Sequence, residues 1–205
     1  FYIMYWGTPD VSVSFCEDKN IVSNYIAEYY NTMSALSYVI VGLIFSRTRL
    51  KRLSKIIMML GLGTALLHGT LRFYGQWLDE ISMLILSFYI IKEVRLIRLN
   101  KQTNDLYLFP LIFNYFLFSH YFCYFFIVFV SLQIYTYKIA QKDYKKCSKR
   151  EYCLIKAYSI ILLFSTFCWF LDQVFCDYVR VFQLHAVWHA GTALSLLLGL
   201  TAIII

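Results

Sequence analysis

The chain has 205 residues and a net charge of +7, and 60% of its residues are hydrophobic and 20% aromatic. A mean hydropathy of +0.60 exceeds what a soluble domain needs, so a membrane protein is the default class. The positive charge does not indicate nucleic-acid binding. The basic residues stand in short clusters between apolar runs and form no basic helix face or glycine-rich motif.

The apolar runs predict an all-α fold, because each transmembrane helix needs roughly 20 apolar residues. After a lead-in segment, 1–25, we predict helices over 26–45, 56–71, 81–94, 154–171 and 184–205. A long aromatic block, 106–137, remains. As one helix it would be about 48 Å long, well beyond a hydrocarbon core of about 30 Å. We therefore expect it to fold back near residues 118–121.

The basic residues predict the topology, because short loops rich in Lys and Arg stay in the cytosol. Of the 19 basic residues, 16 fall in three loops. The third of these contains Lys138, Lys142, Lys145, Lys146, Lys149, Arg150 and Lys156. Cytosolic loops on both sides of the aromatic block require an even number of crossings between them, so the block is two helices. The chain, 1–205, is thus predicted to be one domain of seven transmembrane helices, with its N-terminus facing the lumen or exterior and its C-terminus the cytosol.

Several polar side chains are predicted at the lumenal ends of these helices. They are His68, Asp79, Glu80, Asp172, Gln173, His185 and His189. Ionisable groups at membrane depth are costly unless they are paired or bound to something. Their convergence on one level therefore predicts a functional site.

The stretch QLHAVWHAG predicts a metal clamp. His185 and His189 are four residues apart, so both imidazoles project from one helix face and can share an ion. With His68 as third ligand, the set matches a catalytic zinc site with an open fourth position. The stretch lacks the Glu that zinc-protease helices use as general base, so Asp79 is the candidate base.

Other interpretations of these histidines stay open. A histidine within a membrane is commonly a hydrogen-bonded packing residue, which is how we interpret His120. Haem is a further alternative, but His185 and His189 on one helix face cannot be opposite axial ligands of one iron. A haem would need His68 or His120 on its other side.

Four motifs resemble the alkaline ceramidases in order and spacing, over nearly the whole chain. They are YIAEYYNT at 25–32, TALLH at 64–68, LDE at 78–80 and HAVWH at 185–189. These ceramidases are seven-helix intramembrane zinc amidases, in a superfamily that includes the adiponectin-receptor-like proteins. The resemblance implies hydrolysis of a ceramide-like lipid to a sphingoid base and a fatty acid. It also implies a place in the endoplasmic reticulum or Golgi, with the active site toward the lumen.

The resemblance assigns zinc to His68, His185 and His189. It makes Asp79 the catalytic carboxylate, which takes a proton from the attacking water and later gives one to the leaving amine. Thr64 replaces the family's serine, and its hydroxyl is expected to stabilise the oxyanion. Helix packing, which favours small residues, is the other interpretation of Thr64.

The resemblance also implies a calcium site in the lead-in, built from a backbone carbonyl and carboxylates. The candidate ligands are Phe15, Glu17, Asp18 and Glu28. Two positions depart from the family, with Ser14 in place of Asp and Lys19 in place of Asn. A lost carboxylate and an added ammonium should both weaken the binding of a hard dication, unless Asp18 or Asn20 compensates. An acidic, solvated lead-in without a metal is the alternative.

Cys16 and Cys176 are predicted on the oxidising lumenal side, and the resemblance implies a disulfide between the segments that carry them. Two buried, unpaired thiols are the alternative. The other four cysteines fall in the cytosolic loop or within or near apolar spans.

Two other functions remain alternatives to hydrolysis. An adiponectin-receptor-like receptor would share the zinc and the helix count, although typically in the opposite orientation. A lipid-binding or structural membrane protein would need no carboxylate near the metal. The expected partners are a ceramide-like lipid and the bilayer; no protein partner is predicted.

Overall fold

The computed structural model describes residues 5–142 and 147–205, and every regular element in these ranges is helical. Lys145 and Lys146 of the third basic loop lie outside the described residues, as do the first four residues of the lead-in. The α-helices are α1 Tyr29–Ser34, α2 Leu36–Phe45, α3 Lys51–Thr70, α4 Phe73–Leu99, α5 Leu108–Phe118, α6 Phe122–Ala140, α7 Lys149–Val174, α8 Cys176–Val179 and α9 Leu184–Ile204. Short 3₁₀ turns, Asp105–Tyr107 and Arg180–Phe182, precede α5 and α9.

The aromatic block is broken where its length predicted. α5 ends at Phe118 and α6 begins at Phe122. Several helix starts differ from the prediction, and at α1 and α4 the difference is due to contacts with other segments. The N–H of Glu28 donates to the carbonyl of His68 at 3.0 Å, so residues 26–28 are not helical. Asp10 accepts the N–H of Phe73 at 2.6 Å, which caps α4 two turns earlier than predicted.

Four of the described helices are long and apolar enough to cross a membrane: α3, α6, α7 and α9. Shorter apolar helices cover Tyr29–Phe45 and Asp105–Phe118. Large apolar side chains such as Leu163 and Phe164 lie exposed on the outer surface, as expected of groups that face lipid. The chain is therefore an integral membrane protein. The count of seven spans and the orientation stay predictions.

α3 is buried along its inner face. α3 lies between α2 and α4, α6 packs on the far side of α4, and α7 pairs with α9. The short α1 contacts both α3 and α9. These contacts bring one end of α3 beside the start of α9.

α3 and α4 approach each other backbone to backbone at two glycines. A Cβ on Gly63 would lie 2.7 Å from the backbone nitrogen of Asp79, and one on Gly75 would lie 2.7 Å from that of Leu67. Only glycine permits so close an approach. The contact at Gly63 places its neighbour, Thr64, against α4.

The lead-in packs across one end of the bundle, which we call the lead-in end. A disulfide joins Cys16 to Cys176, the pair predicted above, with the two Cα atoms 5.3 Å apart. Asp10 forms an ion pair with Arg72 at 2.9 Å. These links hold the lead-in against α3 and against the connection between α7 and α9.

Candidate active site

Three histidines converge at the lead-in end. His68 comes from the last turn of α3, and His185 and His189 come from successive turns of α9. One ring nitrogen from each lies within 4.8 Å of the other two. All three side chains are buried, with exposures of 1%, 4% and 4%. Among the described residues, no other group of histidine, cysteine or carboxylate side chains forms such a cluster.

Two of these histidines have the Nδ1 atom fixed by an oxygen. His68 Nδ1 lies 2.5 Å from Glu28 Oε2, and His189 Nδ1 lies 2.8 Å from Ser34 Oγ. Histidines that bind metals almost always use their second ring nitrogen in this way. The Nε2 atoms of both rings are therefore left for an ion.

The third histidine faces Asp172 more loosely. His185 Nδ1 lies 3.9 Å from Asp172 Oδ2 and has no hydrogen-bond partner. Asp172 accepts the N–H of Cys16 at 3.4 Å. Arg180 pairs with Asp18 at 2.9 Å and not with Asp172, so the Asp172 carboxylate is left facing His185.

The donor set fits zinc. Three buried imidazoles face one point, and their second nitrogens face a carboxylate, a hydroxyl and a more distant carboxylate. A set of three neutral histidines is a known catalytic zinc arrangement. It also disfavours haem, which takes axial ligands from opposite sides. His120 stands apart from the cluster, exposed in the turn between α5 and α6 and stacked on the Phe73 ring at 4.4 Å.

Asp79 and Thr64 form a pair beside the histidines. The Thr64 hydroxyl lies 2.5 Å from Asp79 Oδ1 and 2.9 Å from the carbonyl of Leu60. A hydroxyl has one proton to donate, so donation to Asp79 competes with donation to an oxyanion. The contact therefore favours a positioning role for Thr64, which holds the carboxylate of Asp79 in place.

Glu80 has a different environment from its neighbour Asp79. Its buried carboxylate accepts hydrogen bonds from Gln76 Nε2 and from the Tyr115 hydroxyl, each at 2.8 Å. Gln76 in turn accepts the backbone N–H of Ser12 at 2.8 Å. Glu80 therefore ties α4 to α5 and, through Gln76, to the lead-in.

An apolar cavity of about 680 Å³ opens from this cluster. Thr64, Asp79 and the three histidines line it at the lead-in end. Its wall continues along α6 from Phe122 to Lys138, a length of about 24 Å. Leu163 of α7 lies on the opposite wall and is 71% exposed, and α6 and α7 do not pack closely along most of their length, so the cavity has an opening between them.

The residues predicted to bind calcium do not come together as a binding site for a divalent cation. The Lys19 ammonium lies 2.7 Å from the carbonyl of Phe15 and 2.8 Å from that of Glu17, and it pairs with Glu28. Asp18 points away and pairs with Arg180.

The Glu17 carboxylate is also engaged elsewhere. It accepts the backbone N–H groups of Tyr30 and Asn31 at 2.7 and 2.8 Å, at the start of α1. Burial raises the pKa of Glu17, and these two hydrogen bonds offset part of the rise. Because calcium takes six to eight oxygen ligands, this set as it lies does not fit the ion.

Two site residues were missed by reasoning from the sequence. Ser34 carries no motif that connects it with His189, 155 positions away. Glu28 was assigned to calcium, whereas its carboxylate holds His68. The only signal in the sequence was that Glu28 lies within the YIAEYYNT motif, and this position did not connect it with His68.

Comparison with known proteins gives consistent matches. A sequence model of the family described as Ceramidase matches residues 7–205. The alkaline ceramidase of Arabidopsis thaliana is 29% identical over 207 residues, which cover 90% of this chain and 79% of that protein. Alkaline ceramidase 1 of Homo sapiens is 25% identical over 222 residues, covering 92% and 80%. The family match includes the lead-in from residue 7 onward and all the candidate metal ligands.

Proposed function

The chain belongs to the ceramidase family and is thus an amide hydrolase of the ceramidase type, and we propose that it is a zinc-dependent intramembrane enzyme. The substrate proposed is a ceramide-like lipid, and the products are a sphingoid base and a free fatty acid. One observation carries this proposal. Three buried histidines and the Asp79 carboxylate line the same end of an apolar cavity.

His68, His185 and His189 would hold the zinc. When bound, the ion supplies a Lewis acid that acidifies a water and polarises the amide carbonyl. Glu28 and Ser34 orient two of the imidazoles through their Nδ1 atoms, so the ligand geometry does not depend on the metal alone.

Asp79 performs the proton transfers in this proposal. Its carboxylate takes a proton from the attacking water and then delivers one to the nitrogen of the leaving sphingoid amine. Thr64 holds Asp79 Oδ1 and so fixes the direction of the transfer. The close packing at Gly63 fixes Thr64 in turn.

The cavity suits a lipid chain better than a soluble amide. Its lining is mostly aromatic and aliphatic, and its length of about 24 Å along α6 matches an extended acyl or sphingoid chain. The opening beside Leu163 lies midway along α7, among apolar surface. A lipid would therefore enter sideways from the bilayer. We further propose that the site faces the lumen of the endoplasmic reticulum or Golgi.

The test is incubation of the purified protein in detergent with a panel of ceramides, with released sphingoid base read by mass spectrometry and zinc by elemental analysis. We expect one zinc per chain, and we expect His185→Ala to lose both zinc and hydrolysis. His120→Ala is the matched control, because His120 lies outside the cluster. Full zinc in His185→Ala would refute the ligand assignment. Zinc without hydrolysis of any ceramide would favour a receptor or a lipid-binding protein.

A further inference from the structure

The cation in the lead-in is the side-chain ammonium of Lys19, which is surrounded by oxygen atoms. The Lys19 ammonium contacts the carbonyls of Phe15 and Glu17 at 2.7 and 2.8 Å and forms an ion pair with Glu28. An ammonium has three hydrogens, and these three acceptors use all of them. Its side chain is 28% exposed, whereas that of Glu28 is fully buried.

We propose that the Lys19 ammonium replaces a divalent cation in this segment, so that the lead-in is held without calcium. The two carbonyls and the Glu28 carboxylate are oxygen ligands of the kind that calcium takes, and the ammonium lies among them. A divalent ion could not bind these three oxygens while the Lys19 ammonium contacts them, because the two positive charges would repel each other.

While Lys19 occupies this position, the other carboxylates of the segment are engaged elsewhere. Glu17 uses both carboxylate oxygens to cap α1, and Asp18 is paired with Arg180. Two other basic residues at the lead-in end, Arg72 and Arg180, pair with Asp10 and Asp18 and not with Glu28. Lys19 is therefore the cation that balances the buried charge of Glu28 from the lead-in side.

The same contact reaches the histidine cluster. Glu28 binds Lys19 through Oε1, and its Oε2 contacts His68 Nδ1 at 2.5 Å and accepts from Asn31 Nδ2 at 3.0 Å. Lys19 is thus a positioning residue that acts through Glu28. None of these contacts involves a substrate, so the proposal stands apart from the proposed hydrolysis.

The test uses the purified chain, 1–205, in detergent, stripped of calcium, with ⁴⁵Ca²⁺ binding and thermal unfolding as readouts. We expect the parent to bind no calcium at a specific site and its Tm to be unchanged by the ion. Lys19→Asn should have a lower Tm in calcium-free buffer. It should gain one calcium site, with a Kd of about 10⁻⁴ to 10⁻³ M, and calcium should restore its Tm.

Lys101→Asn is the matched control, because it removes the same charge from an exposed loop residue and should behave like the parent. If Lys19→Asn does not fold, Ser14→Asp combined with Lys19→Asn adds a carboxylate to the loop, and calcium should permit that variant to fold. Stoichiometric calcium binding by the parent would overturn the proposal. So would a Lys19→Asn protein that folds but neither binds calcium nor gains stability from it. Neither readout involves ceramide or zinc, so failure here is distinct from failure of the proposed hydrolysis.

Discussion

Replacing Gly63 with alanine would place a Cβ 2.7 Å from the backbone nitrogen of Asp79 and 2.8 Å from the carbonyl carbon of Leu78. Both atoms belong to the backbone of α4 and cannot move aside as a flexible side chain would. Ordinary van der Waals contact begins at 3.4 Å, so α3 and α4 must separate by about 0.7 Å at this level. The separation acts directly on the pair formed by Thr64 and Asp79.

The expected consequences differ for stability and activity. Overpacking of this kind costs about 1–3 kcal/mol, and the better helix propensity of alanine returns at most about 1 kcal/mol. The distance from the Thr64 hydroxyl to Asp79 Oδ1 would grow from 2.5 Å to about 3.2 Å. Misplacement of a catalytic group by about 1 Å can cost about 100-fold in rate, so we expect hydrolysis to fall by roughly 10- to 100-fold.

Gly69→Ala is the matched control on the same helix. Its Cβ would meet only side-chain atoms of Thr32, at 3.8 Å or beyond, which is ordinary contact. Ceramide hydrolysis and thermal unfolding of both variants should be measured at equal zinc content. If Gly63→Ala retained activity within a few-fold of Gly69→Ala, close packing at Gly63 would not be what holds Thr64 against Asp79.

Three further variants test separate parts of the structure. Asp79→Asn should keep zinc and thermal stability but lose most hydrolysis, because an amide cannot take the proton from water; activity within a few-fold of the parent would exclude the assigned role. Asp172→Asn should lower zinc occupancy, measured by elemental analysis, by less than His185→Ala does, because Asp172 lies 3.9 Å from the ligand ring rather than on the metal. Equal losses would contradict that ranking. Replacing Cys16 and Cys176 together with serine should lower the free energy of unfolding by about 2–4 kcal/mol, and a stability equal to that of the parent would show that the disulfide contributes little.

The sequence was sufficient to predict those features that depend only on neighbouring residues along one helix. The aromatic block had to break because its length exceeded a bilayer, and the structure breaks it between Phe118 and Phe122. His185 and His189 share a face because they are four residues apart. These features follow from helical geometry, which is the same for any helix with this pattern.

Helix starts were less predictable, because they depend on groups far away in the chain. Asp79 and Glu80 were expected to open a helix, yet α4 begins at Phe73, where Asp10 of the lead-in supplies the cap. The residues that precede α1 read as helical by composition, but their N–H groups bond to carbonyls of α3.

The tertiary structure alone decided how the site is supported. Ser34 faces His189, Glu28 faces His68, and the Lys19 ammonium lies where a calcium ion was expected. The first two contacts join residues 155 and 40 positions apart, and they exist because α1 and the residue before it pack against both α3 and α9. The third contact depends on the path of the loop around Lys19, which brings the flexible lysine side chain back to the carbonyl oxygens of Phe15 and Glu17. No periodicity in the sequence encodes either geometry, because both arise only once the helices and the lead-in are packed together.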